Sequence, residues 1–166
     1  KKLGELARYR RGSFPQPYGL EKWYDDKGGF PFVQVFDVDE NLKLKPETKR
    51  RISEEAQKMS VFAQKGSIVL TIQGSIGRIA MTQYDAYIDR TLLLFESLLF
   101  PFDLYFFMLL VYVLFEQEKQ KAPGGTIKTI TKETLSSFKV SYPNLEEQTR
   151  IAQILSDMEN EIEALE

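Results

Sequence analysis

The last 22 residues constrain this chain most. Behind a Pro143-Asn144 stop, apolar residues recur at Ile151, Leu155, Met158, Ile162 and Leu165, in steps of 4, 3, 4 and 3. That spacing is the narrow seam of a coiled coil rather than the broad stripe by which a helix joins a globular core. A helix of this kind leaves its seam for another helix to cover. Charge divides at the same place. Residues 1–144 hold 21 Lys/Arg against 17 Asp/Glu, whereas residues 145–166 hold one Arg against seven Asp/Glu. A mildly basic body on an acidic helix suits a body that meets an anion and a helix that does not. The expected division is a globular domain over 1–144 and a spacer or dimerisation helix over 145–166.

The residue types available limit the chemistry. There is no cysteine and no histidine, which removes disulfides, thiolate nucleophiles, histidine zinc sites and every triad with an imidazole base. An apolar fraction of 43% with 13% aromatic residues supports a packed core rather than disorder. Asp37 and Asp39 invite a metal or acid/base reading, but the further spaced carboxylates and central glycine of a calcium loop do not follow. A polar strand end is the reading adopted, with a carboxylate enzyme as an outlying class. No metal, no cofactor and no catalytic residue is expected. The run 104–115 is uncharged and mostly apolar, yet a membrane span needs about 20 such residues. Pro101 and Asp103 interrupt it on the amino side, so it reads as a buried core helix. The amino-terminal stretch lacks the apolar core of a secretory signal. The expectation is a cytoplasmic protein away from membranes.

In chain order, Leu3, Leu6 and Ala7 open at helical or turn-like spacing. Arg8, Arg10 and Arg11 then lead into the breaker-rich Gly-Ser-Phe-Pro-Gln-Pro. Guanidinium groups beside such a turn fit phosphate or a guanine edge. Residues 18–30 read as an irregular loop carrying Trp23, either a recognition residue or a side chain packed down on the core. Phe32 to Val38 reads as a strand. The densest basic cluster, Lys49, Arg50 and Arg51, precedes a short helix capped by Ser53. Ile68–Ile72 and Arg78–Met81 flank Gly74-Ser75-Ile76-Gly77 as strand, tight turn and strand. Residues 91–100 form a further strand and 104–120 the main core helix. One or two short strands around a small helix, Lys132 to Ser137, complete the α+β expectation, with a mixed or antiparallel sheet.

Three of these segments together resemble the target-recognition domain of type I restriction–modification specificity (S) subunits. Leu-Gly-Glu-Leu-Ala-Arg-Tyr-Arg-Arg-Gly-Ser, from Leu3, resembles the family's opening Leu-Gly-Glu and following Arg-Gly-Ser turn. Lys-Gly-Ser-Ile-Val-Leu-Thr-Ile-Gln-Gly-Ser-Ile-Gly, from Lys65, is similar to its Gly-Asp-Ile-Leu-Leu-Thr and Gly-Thr-Ile-Gly strand pair. Tyr-Pro-Asn-Leu-Glu-Glu-Gln-Thr-Arg-Ile-Ala, from Tyr142, resembles the Pro-Leu-Pro-x-x-Glu-Gln-x-x-Ile-Ala motif that opens its helix, and is the most specific of the three. Their order runs across nearly the whole sequence.

The resemblance implies a non-catalytic reader of double-stranded DNA. S subunits carry two such domains, each reading half of a split site, held apart by helices. Those helices also dock a modification (M) subunit, which binds S-adenosylmethionine and methylates adenine; a restriction (R) subunit joins to cleave. This sequence holds one domain and a helix of about 30 Å at 1.5 Å per residue. It is therefore expected to be a fragment or a half-subunit, with Ile151, Leu155, Met158, Ile162 and Leu165 contacting another helix, from a second copy or from an M subunit. For contacts to DNA the expected residues are Arg10, Arg11, Ser13 and Gln16 from the first turn, and Trp23 and Lys27 from the aromatic loop. Lys49, Arg50 and Arg51 join them from the basic cluster, with Gln73, Ser75 and Arg78 from the hairpin. An interaction module tethered by a coiled coil, with no DNA role, is the alternative.

Overall fold

The computed structural model describes residues 1–166. Its order is α1 (Leu3–Leu6), β1 (Ala7–Arg11), β2 (Phe30–Val33), β3 (Arg50–Ile52), α2 (Glu54–Gln57), β4 (Val61–Ala63), β5 (Ile68–Thr71), β6 (Ile79–Met81), β7 (Ala86–Ile88), β8 (Leu92–Leu98), α3 (Leu104–Lys121), α4 (Lys132–Ser137) and α5 (Leu145–Leu165). The strands make two four-stranded sheets. One is antiparallel throughout, in the order β1-β8-β5-β6; the other, β3-β2-β7-β4, is mixed because β2 and β7 run parallel.

The first sheet is the middle layer, and its pleat explains why its strands read as continuous apolar runs. Tyr9, Ile68, Leu70, Ile79, Leu93 and Phe95 point one way, onto Phe107, Met108, Val111 and Phe115 of α3 and Leu3 and Leu6 of α1. Val69, Ala80, Leu92 and Leu94 point the other way, onto Val33, Val61, Ala86 and Ile88 of the second sheet. A strand buried on both faces has no polar alternation to show. α3 starts at Asp103, whose carboxylate accepts from the Phe106 amide, and ends with Lys119 and Lys121 in its last turn, where cations suit the dipole.

The α+β class, the hairpin at 68–81, the strand in 91–100, the core helix and the Ser53 cap are all present. Two local expectations need correction. The strand expected over Phe32–Val38 stops at Val33, and Val35–Asp37 is a 3₁₀ turn. Its cause is Asp37, which is buried and accepts from the Gln34 amide (2.8 Å) and the Lys49 amide (2.8 Å). A carboxylate that folds back on its own backbone ends a strand. The Lys49–Arg51 cluster does precede the Ser53-capped helix, with Arg50 and Arg51 in the short strand β3. Residues 126–131 contain no strand. No helix is long and apolar enough to cross a membrane, and no group of three or more metal-ligating side chains occurs.

Candidate nucleic-acid interface

Three segments that lie far apart in the chain meet at one end of the sheets. They are the exit of β1, the β5–β6 turn and the β7–β8 turn. Arg11, Gly12, Ser13, Phe14, Gln16, Gln73 and Arg90 line an open concavity of about 510 Å³ there. The junction is closely tied. The Gly12 amide donates to the Leu92 carbonyl (2.9 Å), the Ile72 amide to Thr91 (2.9 Å) and the Asp89 amide to Val33 of the second sheet (3.0 Å). Gly12 presses so near the turn that a Cβ there would lie 2.1 Å from the Asp89 carbonyl oxygen. Arg11 Nε donates to the Arg90 carbonyl and Ser13 Oγ to Met59 (2.9 Å). Beneath lies Asp89, 3% exposed; its Oδ2 accepts from Thr91 Oγ1 (2.6 Å), while Oδ1 is buried without a partner.

An aromatic ladder runs from this concavity toward the basic cluster. The Arg90 guanidinium lies 5.3 Å from the Tyr18 ring, Tyr18 packs on Phe14 (5.0 Å), Phe14 on Tyr24 (5.5 Å), and the Arg50 guanidinium stacks over Tyr24 (3.9 Å). Burial, helped by the nearby Asp89 charge, pushes the Tyr18 phenol up to about 12, and its oxygen accepts from Gln34 Nε2 (2.6 Å). Tyr24 is raised by burial in the same way. Both rings therefore stay neutral surfaces for cations.

The expected DNA contacts separate into groups. Arg11, Ser13, Gln16 and Gln73 are brought together in the concavity. Arg10, next to Arg11, is not: successive strand residues face opposite ways, and Arg10 pairs with Glu96 (3.7 Å) beside Arg8 and Lys132. Arg78 and Ser75 leave Gln73 on the other side of the glycine turn. Their cavity contains Asp39, Glu40 and Glu116, and Arg78 pairs with Glu40 (3.7 Å). Gly77 makes that turn at φ +92°, with a built Cβ 2.9 Å from Phe115. Arg50 pairs with Asp26 (3.0 Å); the Arg51 amide and then Arg50 hold that carboxyl below its usual range. Arg51 Nε donates to the Gly29 carbonyl (2.8 Å), Lys49 Nζ lies 5.3 Å from the Phe36 ring, and Lys27 is exposed on the Asp25–Gly29 turn. Trp23 requires correction as a DNA contact. It is 4% exposed, packed with Phe14, Phe32, Ile52 and Ala56, and its indole N–H is used on the Pro17 carbonyl (3.0 Å). A buried ring with its only donor satisfied has nothing left to offer a base.

Two residues were missed. Arg90 is a lone basic residue between two strands, and only the approach of β1 shows that it completes the concavity. Gln148 is a buried joint: Oε1 accepts from the Asp103 amide (3.1 Å) and Nε2 donates to Pro143 (2.9 Å), which fastens the start of α5 to the start of α3. Asn144 supplies the cap, accepting from the Glu147 amide (3.0 Å). Farther along α5, Ala152 is buried, Tyr105 donates to Glu159 (2.7 Å) and Lys43 pairs with Glu163. The helix thus docks by a small and polar face. Ile151, Leu155, Met158, Ile162 and Leu165 all remain exposed, Leu165 at 88%.

A family model described as the type I restriction modification DNA specificity domain matches residues 1–166. The chain belongs to that family. The specificity subunit of the type I restriction enzymes EcoR124I and EcoR124II from Escherichia coli is 25% identical over 162 residues, covering 93% of this chain and 39% of the relative. The HsdS subunit from Thermoanaerobacter tengcongensis has the same fold (TM-score 0.66, 24% identity, 99% of this chain and 37% of that one). So does a type I S subunit from M. genitalium (TM-score 0.68, 19% identity, 99% and 40%). A chain from a type I R-M system studied for its assembly and conformational transition also matches (TM-score 0.70, 23% identity, 99% and 38%). This specificity domain therefore spans about two fifths of the relatives' length. Membership agrees with the expected lack of catalytic chemistry, because specificity subunits select a site and carry no catalytic activity themselves.

Proposed function

We propose that this domain reads one half of a split DNA site for a type I restriction–modification complex. Residues 1–144 meet the duplex, and residues 145–166 form the spacer that a partner helix covers. The observation that carries the reading is the composition of the concavity: two arginines, two glutamines and a serine, with no carboxylate among the lining residues. Cations there can approach phosphates, while arginine and glutamine match the major-groove edges of guanine and adenine. Arg11, Ser13 and the outlying Lys27, Lys49 and Arg51 supply register on the backbone. Methylation and cleavage belong to the M and R partners, with S-adenosylmethionine bound by M, and all of this takes place in the cytoplasm.

The exposed seam of α5 supports the second half of the proposal. A second copy joined along Ile151, Leu155, Met158, Ile162 and Leu165 places two readers on a two-fold axis, suited to a symmetric split site. Sedimentation of the purified chain is expected to show a dimer; a monomer at tens of micromolar removes self-pairing and leaves an M subunit to cover the seam. The reading as a whole is tested by supplying the chain to its neighbouring modification subunit and mapping methylated adenines. Methylation at a fixed split motif that depends on this chain supports it. No motif, together with no salt-dependent duplex binding, returns the chain to a tethered adaptor.

A further inference from the structure

The arginines of this domain differ in what remains free on them. Arg10, Arg50 and Arg78 are neutralised by Glu96, Asp26 and Glu40. Arg11 and Arg51 have committed Nε to backbone carbonyls. Arg8 and Arg90 make no side-chain hydrogen bond or ion pair, but Arg8 shares its cavity with Glu96. Arg90 alone combines five free N–H donors with a concavity lined by no carboxylate; the one beneath it, Asp89, is buried and makes no ion pair with it.

Its backbone is also tied down on several sides. The turn Asp89–Thr91 is hydrogen-bonded to both sheets: it donates to the Val33 carbonyl and accepts from the Ile72 amide and Arg11 Nε, and Asp89 closes it by accepting from Thr91. Tyr18 lies under the guanidinium and Phe14 lies behind Tyr18. An arginine steadied on a ring and carried by a rigid turn loses little freedom when it forms two parallel hydrogen bonds. Gln16 and Gln73 line the same concavity, placed for flanking base pairs.

Resting on the DNA-reading proposal above, we infer that Arg90 is the principal specificity-determining side chain of this domain. Its guanidinium takes the N7 and O6 acceptors of one guanine in the major groove, and Arg11, with Nε engaged, serves the adjacent phosphate. The turn, not the arginine-rich exit of β1, then names the base.

The experiment selects bound duplexes from a randomised library with the full chain, in parallel with Arg90→Ala, Arg90→Lys and Arg11→Ala. The wild-type chain is expected to enrich a motif that contains guanine. Arg90→Ala should lose that guanine at one position while the other positions persist, and bind the wild-type motif about 5- to 150-fold more weakly, the range that one bidentate base contact covers. Arg90→Lys should also lose the guanine while retaining more affinity, because it keeps the charge without the fork. Arg11→Ala should weaken binding to all sequences alike. A complete motif retained by Arg90→Ala overturns the inference and leaves the DNA-reading proposal standing. A wild-type chain that enriches no sequence overturns both.

Discussion

The two exposed regions of this domain, the concavity around Arg90 and the seam of α5, are built in opposite ways. The concavity is basic and polar, and every segment that frames it is tied to another by backbone hydrogen bonds and by the near contact of Gly12 with Asp89. The seam is apolar within an acidic helix, and the helix is held to the body by Gln148, Ala152, Glu159 and Glu163 on a different face. The concavity thus comes with its geometry already formed, which the proposed base recognition requires, since a displacement of a hydrogen-bonding side chain by an ångström forfeits the contact. A helix seam needs only a stripe of apolar side chains at the right period, because its partner supplies the rest of the fit.

Mutations that separate folding from display sharpen this contrast. Trp23→Ala carries the largest expected effect, a loss of about 3–5 kcal/mol of stability, because a core ring is removed. Thermal and denaturant unfolding measure it; a change below about 0.5 kcal/mol would mean that Trp23 is a surface residue after all. Gly12→Ala comes next. Its Cβ meets backbone rather than a movable side chain, so about 1–3 kcal/mol should be lost. Duplex binding should fall with it, since the β1 exit and the Arg90 turn must move apart. Full binding by this variant would show that the proposed DNA contact does not need the rigidity of the concavity.

Met158→Lys tests the other side of the comparison. It should abolish pairing while leaving the unfolding free energy of the monomer within about 0.5 kcal/mol, as for an exposed substitution. Retained oligomer size breaks the assignment of the seam. Arg11→Ala should cost about 0.5–1.5 kcal/mol of stability, the worth of its hydrogen bond to the Arg90 carbonyl, and reduce the slope of log affinity against log salt by about one, the signature of one lost phosphate contact. The smallest effect is expected of Lys43→Ala, which removes one exposed ion pair of α5 and about 0–1 kcal/mol. A larger loss would mean that α5 is clamped to the body and not merely rested on it.

Periodicity and punctuation made much of this architecture legible before any coordinates. The hairpin, α3 and the seam of α5 each announce themselves over several residues, because burial in one element imposes a repeat on its own sequence. Short strands were harder. β4 and β7 hold three residues each, too few to show a period. β1 looks like a basic turn because its arginines mask the buried Ala7 and Tyr9. Asp37 illustrates another limit. Its two backbone bonds, one of them to Lys49, turn an apparent strand into a 3₁₀ turn and an apparent metal ligand into a clamp.

By itself the sequence determined the α+β class, the family motifs, the absence of imidazole and thiol chemistry, and the acidic terminal helix with its apolar spacing, since each of these depends on residue type and local spacing. Only the tertiary structure decided which charges are free. Whether an arginine reads a base or pairs with a carboxylate depends on what lies within a few ångströms of its guanidinium, and those neighbours come from distant segments. Arg90 meets Arg11 across 79 positions, while Arg78 meets Glu40 across the hairpin's other side. Coulomb and hydrogen-bond energies fall off with distance in space, not in sequence.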